Sequence, residues 1–194
     1  MWGKVTIKDV AIKSGVSTAT VSRVLNKNGY VSDAVKEQVL LTCKEIGYIP
    51  NSTAKSLKTN STNIIGYITS DISNHYHITV AKALEDIIRP HNYNLIVCST
   101  NNSKEAEEHY LRALLGRHIE ALVINTTGEN DEFIASISQK IPTALVSRRL
   151  NISNFRGDIA DCDNITGTYL LTKELIKYGH RRIFLLEGPH KFSN

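Results

Sequence analysis

From Ile64 onward the chain alternates short apolar runs with stretches of helical periodicity, and this alternation limits the possible fold more than any other feature. The runs IIGYI (64–68), LIVCS (95–99), ALVIN (121–125) and PTALV (142–146) are strand-length and rich in β-branched residues. Between them, apolar residues recur every three or four positions near 78–89 (Val80, Leu84, Ile87, Ile88), 104–117 (Leu111, Leu114, Leu115) and 130–140. Strands separated by helices predict an α/β fold with a parallel, doubly wound sheet. The pattern continues through GDIADCDN (157–164), a helix over 165–178 and a strand at 183–186 within GHRRIFLLEGP (179–189). These last pieces read as the start of a second α/β subdomain.

In such sheets ligands bind beyond the carboxyl ends of the strands. Those ends carry Ser70, Asp71, Asn74 and Tyr76, then Asn101 and Asn102, then Asn125 and Thr126, and finally Ser147 and Arg148. Hydroxyls, amides, a carboxylate, a guanidinium and an aromatic ring suit a polar small molecule such as a sugar. Loops are polar in any case, so the lining alone leaves an ordinary solvated edge as the competing reading.

The first sixty residues have a different pattern. IKDVAIKSGVSTATVSRVLN (7–26) reads as two short amphipathic helices and a tight turn. Thr6 is placed to cap the first helix, with Asp9 three residues on. Ile7, Val10, Ala11 and Ser14 fall on one face. Gly15 supplies the left-handed backbone of the turn, and Ser17 caps the second helix, whose Val21, Val24 and Leu25 face inward. Ala19, Ser22, Arg23 and Asn26 are left outside. A helix-turn-helix places that outer face in the major groove of DNA; a plain helical hairpin would merely solvate it. Charge favours the first reading. Residues 1–60 hold nine Lys/Arg against four Asp/Glu, whereas the remainder holds fourteen against fifteen, so the surplus behind the net charge of +4 lies wholly in the helical segment. A basic footprint is what phosphate contact requires.

A third helix is predicted from Ser32 to about Ile46, with Val35, Val39, Cys43 and Ile46 on one face and Gly47 as its stop. The expected organisation is an all-α head over 1–49, a short hinge helix and linker over 50–63, a first α/β subdomain over 64–156 and the start of a second over 157–194. A two-turn helix at 52–58 is marginal alone in water.

Other chemistries find little support. There is no G-x-G-x-x-G or G-x-x-x-x-G-K-[ST] phosphate loop and no G-x-S-x-G elbow, so no enzyme, catalytic residue or cofactor is expected. His75 and His77 alternate but suggest no third ligand, and are expected to be exposed loop histidines rather than a metal site. Cys43, Cys98 and Cys162 are far apart and odd in number, as buried thiols of a reducing compartment would be. No run reaches transmembrane length and MWGKVTI is not a signal peptide, so the expected location is the cytoplasm.

With these pieces in place the chain resembles the lactose/galactose-repressor (LacI/GalR) family of bacterial transcription factors. The resemblance rests on TIKDVAIKSGVSTATVSRVLN (6–26), GYVSDAVKEQVL (29–40), IGYIPNSTAKSL (46–57), IGYITSDISN (65–74) and YGHRRIFLLEGP (178–189), in that order. It implies a regulator, most often a repressor of a carbohydrate operon, whose α/β part is periplasmic-binding-protein-like and closes on a sugar or sugar-derivative effector. It also implies a homodimer on palindromic operator DNA. Carried over by position, Thr18, Ala19 and Arg23 would read bases, and Thr6, Ser17, Thr20, Ser22, Asn26 and Tyr30 would hold the DNA backbone. Asn51, Ala54, Leu57 and Lys58 would form the minor-groove hinge. Asp71, Asn74, Tyr76, Asn125, Ser147, Arg148 and Asp163 would bind effector. Two positions depart from the family pattern: His75 replaces a customary Pro, and Ser147 stands where an acidic residue is common. The family's second subdomain, with much of its dimer interface, runs on past the equivalent of Asn194, so the chain is expected to be a fragment or truncated product in which dimerisation and effector binding suffer. A periplasmic-type sugar-binding protein without DNA function is the alternative.

Overall fold

The computed structural model describes residues 5–50 and 61–186, which fall into two compact units divided at Asn60. The first unit is helical: α1 (Ile7–Ser14), α2 (Thr18–Asn26) and α3 (Asp33–Glu45). Gly15 takes a left-handed φ of 67° and its N–H reaches back to the carbonyls of Ala11 and Ile12, while Val16 N–H returns to Ala11 at 3.1 Å. This closes α1 and turns the chain. Val10, Ala11, Val21, Val24, Val31, Val39 and Cys43 form the buried cluster, with Ile7, Leu25, Val35 and Ile46 at its margin. Gln38 of α3 donates to the Ser14 carbonyl at 3.0 Å, tying the third helix to the end of the first.

The second unit is a five-stranded, all-parallel sheet. Its strands are β1 (Ile64–Thr69), β2 (Asn94–Ser99), β3 (Ala121–Ile124), β4 (Thr143–Val146) and β5 (Asp158–Ala160), in the order β2-β1-β3-β4-β5. The intervening helices are α4 (His75–Ile88), α5 (Lys104–Gly116) and α6 (Asp131–Ser138), and α7 (Asn164–Lys177) follows β5. Ile68, Leu122, Ile124 and Leu145 of the strands meet Leu111, Leu114, Ile134 and Ile137 of α5 and α6 in one core. Gly66 keeps β1 close to α5, because a Cβ there would stand 2.8 Å from Leu114 Cδ1.

Four expectations need correction. Asp158–Ala160 does not open a second subdomain; it pairs parallel with β4 and is the edge strand of this sheet. Residues 183–186 form no strand: among the described residues nothing offers them a ladder, and Ile183, Phe184, Leu185 and Leu186 are exposed. Helix α4 starts at His75 rather than near 78, because Asn74 caps it by accepting from Tyr76 N–H at 3.0 Å, and this buries His77. Cys162 is an exposed thiol in the segment after β5; only Cys43 of the three is fully buried. No residue of α7 is buried, and Ile165, Tyr169, Leu170, Leu171 and Ile176 are exposed.

Candidate functional site

In the helical unit, burying Val21 and Val24 leaves the opposite face of α2 outward. Thr18, Ala19, Arg23 and Asn26 are exposed there, with Thr20 and Ser22 half-buried. Ser17 caps the helix by accepting from Thr20 N–H at 3.1 Å, and the Ser17 and Thr20 hydroxyls hydrogen-bond at 2.9 Å. Asn26 Nδ2 donates to the Ser22 carbonyl at 2.9 Å and to its hydroxyl at 3.2 Å. The stem of Arg23 lies beside Gly29, where a Cβ would stand 3.7 Å from Arg23 Cδ, and the guanidinium makes no ion pair among the described residues. Tyr30 is 94% exposed. The exposed Thr18 hydroxyl and N–H groups at the start of α2, with the Arg23 guanidinium in its last turn and no ion pair on it among the described residues, are chemically suited to phosphates and guanine edges. Lys13 and Lys36, by contrast, are spoken for by Glu45 and Asp33 at 3.1 and 2.8 Å.

Thr6 is more engaged than its sequence role implied. Its N–H and its hydroxyl both donate to Asp9 Oδ2, at 2.8 and 2.7 Å, and these bonds hold the Asp9 carboxyl below its ordinary pKa. Asn51, Ala54, Leu57 and Lys58 lie outside the described residues.

In the α/β unit the carboxyl ends of β1 to β4 lie side by side in the sheet and carry a polar cluster. Tyr76 and Ser147, seventy-one residues apart, share a 2.6 Å hydrogen bond. Arg148 is 9% exposed, and its Nη1 donates to the Thr126 carbonyl at 2.7 Å and to Asn102 Oδ1 at 3.2 Å. Burial pushes its pKa down, against a smaller upward pull from Glu107. Asn125 is buried, and its Nδ2 donates to the Val146 carbonyl at 2.9 Å, fastening the end of β3 to that of β4. Asn125 Oδ1 has no partner among the described residues.

The remaining expected effector residues are engaged locally. Asp71 Oδ1 accepts from Ser73 N–H and hydroxyl at 2.8 and 2.7 Å, which lowers its pKa, and Asn74 caps α4. Asp163 caps α7, accepting from Thr166 N–H at 3.0 Å, and its hydrogen bond is confined to that turn.

Two buried groups escaped the sequence reading. His77 faces Ser70 Oγ at 3.0 Å and Tyr67 OH at 3.4 Å, and burial, helped by Arg148, lowers its pKa. Glu107 on α5 is fully buried and accepts from the Thr126–Thr127 loop and Asn130. The signal for Glu107 was present: it lies four residues before Leu111, on the apolar face. Among the described residues no group of His, Cys, Asp and Glu has the makings of a metal site, and no helix is long and apolar enough to cross a membrane.

Comparison with known proteins gives this geometry a context. Residues 6–51 match the profile of "Bacterial regulatory proteins, lacI family", and residues 62–193 match "Periplasmic binding proteins and sugar binding domain of LacI family". The chain is 38% identical over 178 residues to the HTH-type transcriptional regulator RegA of Clostridium saccharobutylicum, covering 91% of this chain and 53% of that protein. It is 35% identical over 184 residues to the ribose operon repressor of Halalkalibacterium halodurans, covering 95% of this chain and 54% of the relative. Among solved structures, the lac repressor dimer bound to operator and the anti-inducer ONPF superposes with a TM-score of 0.80 at 27% identity, covering 97% of this chain and 57% of that one. The chain thus spans about half the length of the curated relatives it matches.

Proposed function

This chain belongs to the lacI family of bacterial regulatory proteins, and on that premise we propose that it is a sequence-specific DNA-binding regulator, a repressor of a carbohydrate-utilisation operon. The observation that carries the reading is the outward face of α2, where Thr18, Ala19 and Arg23 are exposed on a helix whose other face is locked into a core. Arg23 reads guanine through paired N–H donors, and Thr18 and Ala19 contact neighbouring base edges. Ser17, Thr20, Ser22, Asn26 and Tyr30 hold phosphates and set the register. Thr6 joins them only by turning the hydroxyl hydrogen bond it donates to Asp9 towards a phosphate. Asn51, Ala54, Leu57 and Lys58 serve the minor groove, Leu57 as an apolar wedge.

In the α/β unit, the strand ends carrying Asp71, Asn74, Tyr76, Asn125, Ser147 and Arg148 take a sugar or sugar derivative as effector, with Asp163 as a further contact. The protein acts in the cytoplasm as a homodimer on a palindromic operator and does no chemistry of its own. The named relatives, a ribose operon repressor and an operator-bound lac repressor dimer, support this reading. A sugar-binding role without DNA leaves the exposed face of α2 without a purpose. Selection of bound duplexes from a random DNA pool tests the proposal. Enrichment of one short half-site, repeated as an inverted pair and lost as salt rises, supports it; a pool that stays random contradicts it.

A further inference from the structure

Glu107 has no place in the readings above, yet it is completely buried. Its carboxylate accepts from Thr127 N–H at 2.7 Å, Thr127 Oγ1 at 2.9 Å and Asn130 Nδ2 at 2.8 Å, with Thr126 Oγ1 at 3.5 Å. The Thr127 N–H belongs to the same planar peptide group as the Thr126 carbonyl. That carbonyl accepts from Arg148 Nη1 at 2.7 Å. One peptide group therefore stands between a buried anion at its N–H and a buried cation at its C=O. Taking either charge out of water is costly unless it is paired and hydrogen-bonded. Here the pairing runs through a polarised peptide, so each charge strengthens the hydrogen bond made by the other.

We infer that Glu107 is the positioning residue for Arg148. It fixes the Thr126–Thr127 peptide, the peptide fixes the guanidinium, and the guanidinium is thereby held at the strand ends without Glu107 touching a ligand. The consequence for effector affinity rests on reading those ends as the effector wall; the positioning itself does not.

The test uses Glu107→Gln and Arg148→Met in the full chain, followed by NMR. In Glu107→Gln the Thr127 amide exchanges with solvent about tenfold faster or more, as loss of a charge-assisted hydrogen bond predicts, and the Arg148 Nε–H resonance shifts. Arg148→Met is read from the other end: the Thr127 amide proton moves upfield although its acceptor Glu107 is intact. If Glu107→Gln fails to fold, this second variant decides the matter alone. An Arg148 resonance that stays put in Glu107→Gln, or a Thr127 amide indifferent to Arg148→Met, overturns the proposal and leaves Glu107 a local staple. Calorimetric titration with ribose, glucose and glucose 6-phosphate then separates the two readings. If a probe binds the unaltered chain, Glu107→Gln weakens it about tenfold, and undiminished binding contradicts the effector consequence. If none binds, the effector reading is what fails for these probes, and the NMR result still judges the positioning.

Discussion

The two units build their candidate sites in opposite ways. In the helical unit the polar residues that face outward are hydrogen-bonded to neighbours three or four positions away, Ser17 to Thr20 and Asn26 to Ser22, and the core behind them is a separate apolar cluster. In the α/β unit the polar residues are partly the core itself. Thr127 reaches Glu107 across twenty residues, Arg148 reaches Asn102 across forty-six and Tyr76 reaches Ser147 across seventy-one. A surface that is printed on one helix can change its residues without disturbing its support. A network drawn from separate helices and loops cannot, because removing a partner of Glu107 or Arg148 leaves a buried group unsatisfied.

The largest effect that sharpens this contrast is in the α/β core. Ile124→Ala truncates a side chain with no exposure, and is expected to cost about 2–5 kcal/mol in that unit. Residue-by-residue hydrogen exchange should then quicken at Leu122 and Leu145 while Val10 and Val21 keep their protection. Equal quickening in both units would break the comparison, since it would make them one cooperative body.

A smaller effect is expected from Ser17→Ala, which removes the acceptor for Thr20 N–H. The loss is about 1 kcal/mol of stability in the helical unit, the usual worth of an N-cap, read from thermal unfolding of the chain. No loss would mean that the cap is dispensable and that Ser17 is held for DNA alone.

The smallest effect concerns Glu120. Its carboxylate accepts from the Ser61 hydroxyl at 2.6 Å, Thr62 and Asn63 N–H at 2.7 and 2.8 Å, and Tyr93 OH at 2.9 Å. These donors, the Ser61 hydroxyl foremost and then Asn63 N–H, lower its pKa from the ordinary 4.5. A carboxyl with a depressed folded pKa stabilises above its unfolded pKa and loses that contribution as pH falls through the folded value. Denaturant unfolding between pH 3 and 7 should show the original chain more stable than Glu120→Gln at neutral pH, with the gap closing below about pH 4. A gap that widens on acidification would contradict the assignment.

The same contrast explains how much was legible in the sequence. Periodicity located β1 to β4 within a residue or so, and Gly15 and Ser17 announced the turn and cap of the helical unit, because each signal lies within one turn of the residue it governs. The short β5 was assigned to the wrong subdomain since Asp158, Ile159 and Ala160 are all exposed and carry no alternation. Residues 183–186 misled in the other direction, as an apolar run becomes a strand only beside a partner. His77 was expected in a loop because the cap at Asn74 was overlooked. The burial of Glu107 was legible from its place four residues before Leu111, but its partners, 19 to 23 residues away, lie beyond the reach of any local pattern.

The central claim is that the outer face of α2 reads base sequence, and Arg23→Ala tests it most directly. Fluorescence anisotropy is measured for the original and altered chains on the selected palindrome, on that palindrome with each base pair changed in turn, and on random duplex, all at one salt concentration. The account predicts a loss of about 1–3 kcal/mol on the palindrome, a smaller loss on random DNA, and relaxed preference at one base pair per half-site. An equal loss on palindrome and random DNA, with every base preference intact, would reduce Arg23 to a phosphate contact and contradict the claim.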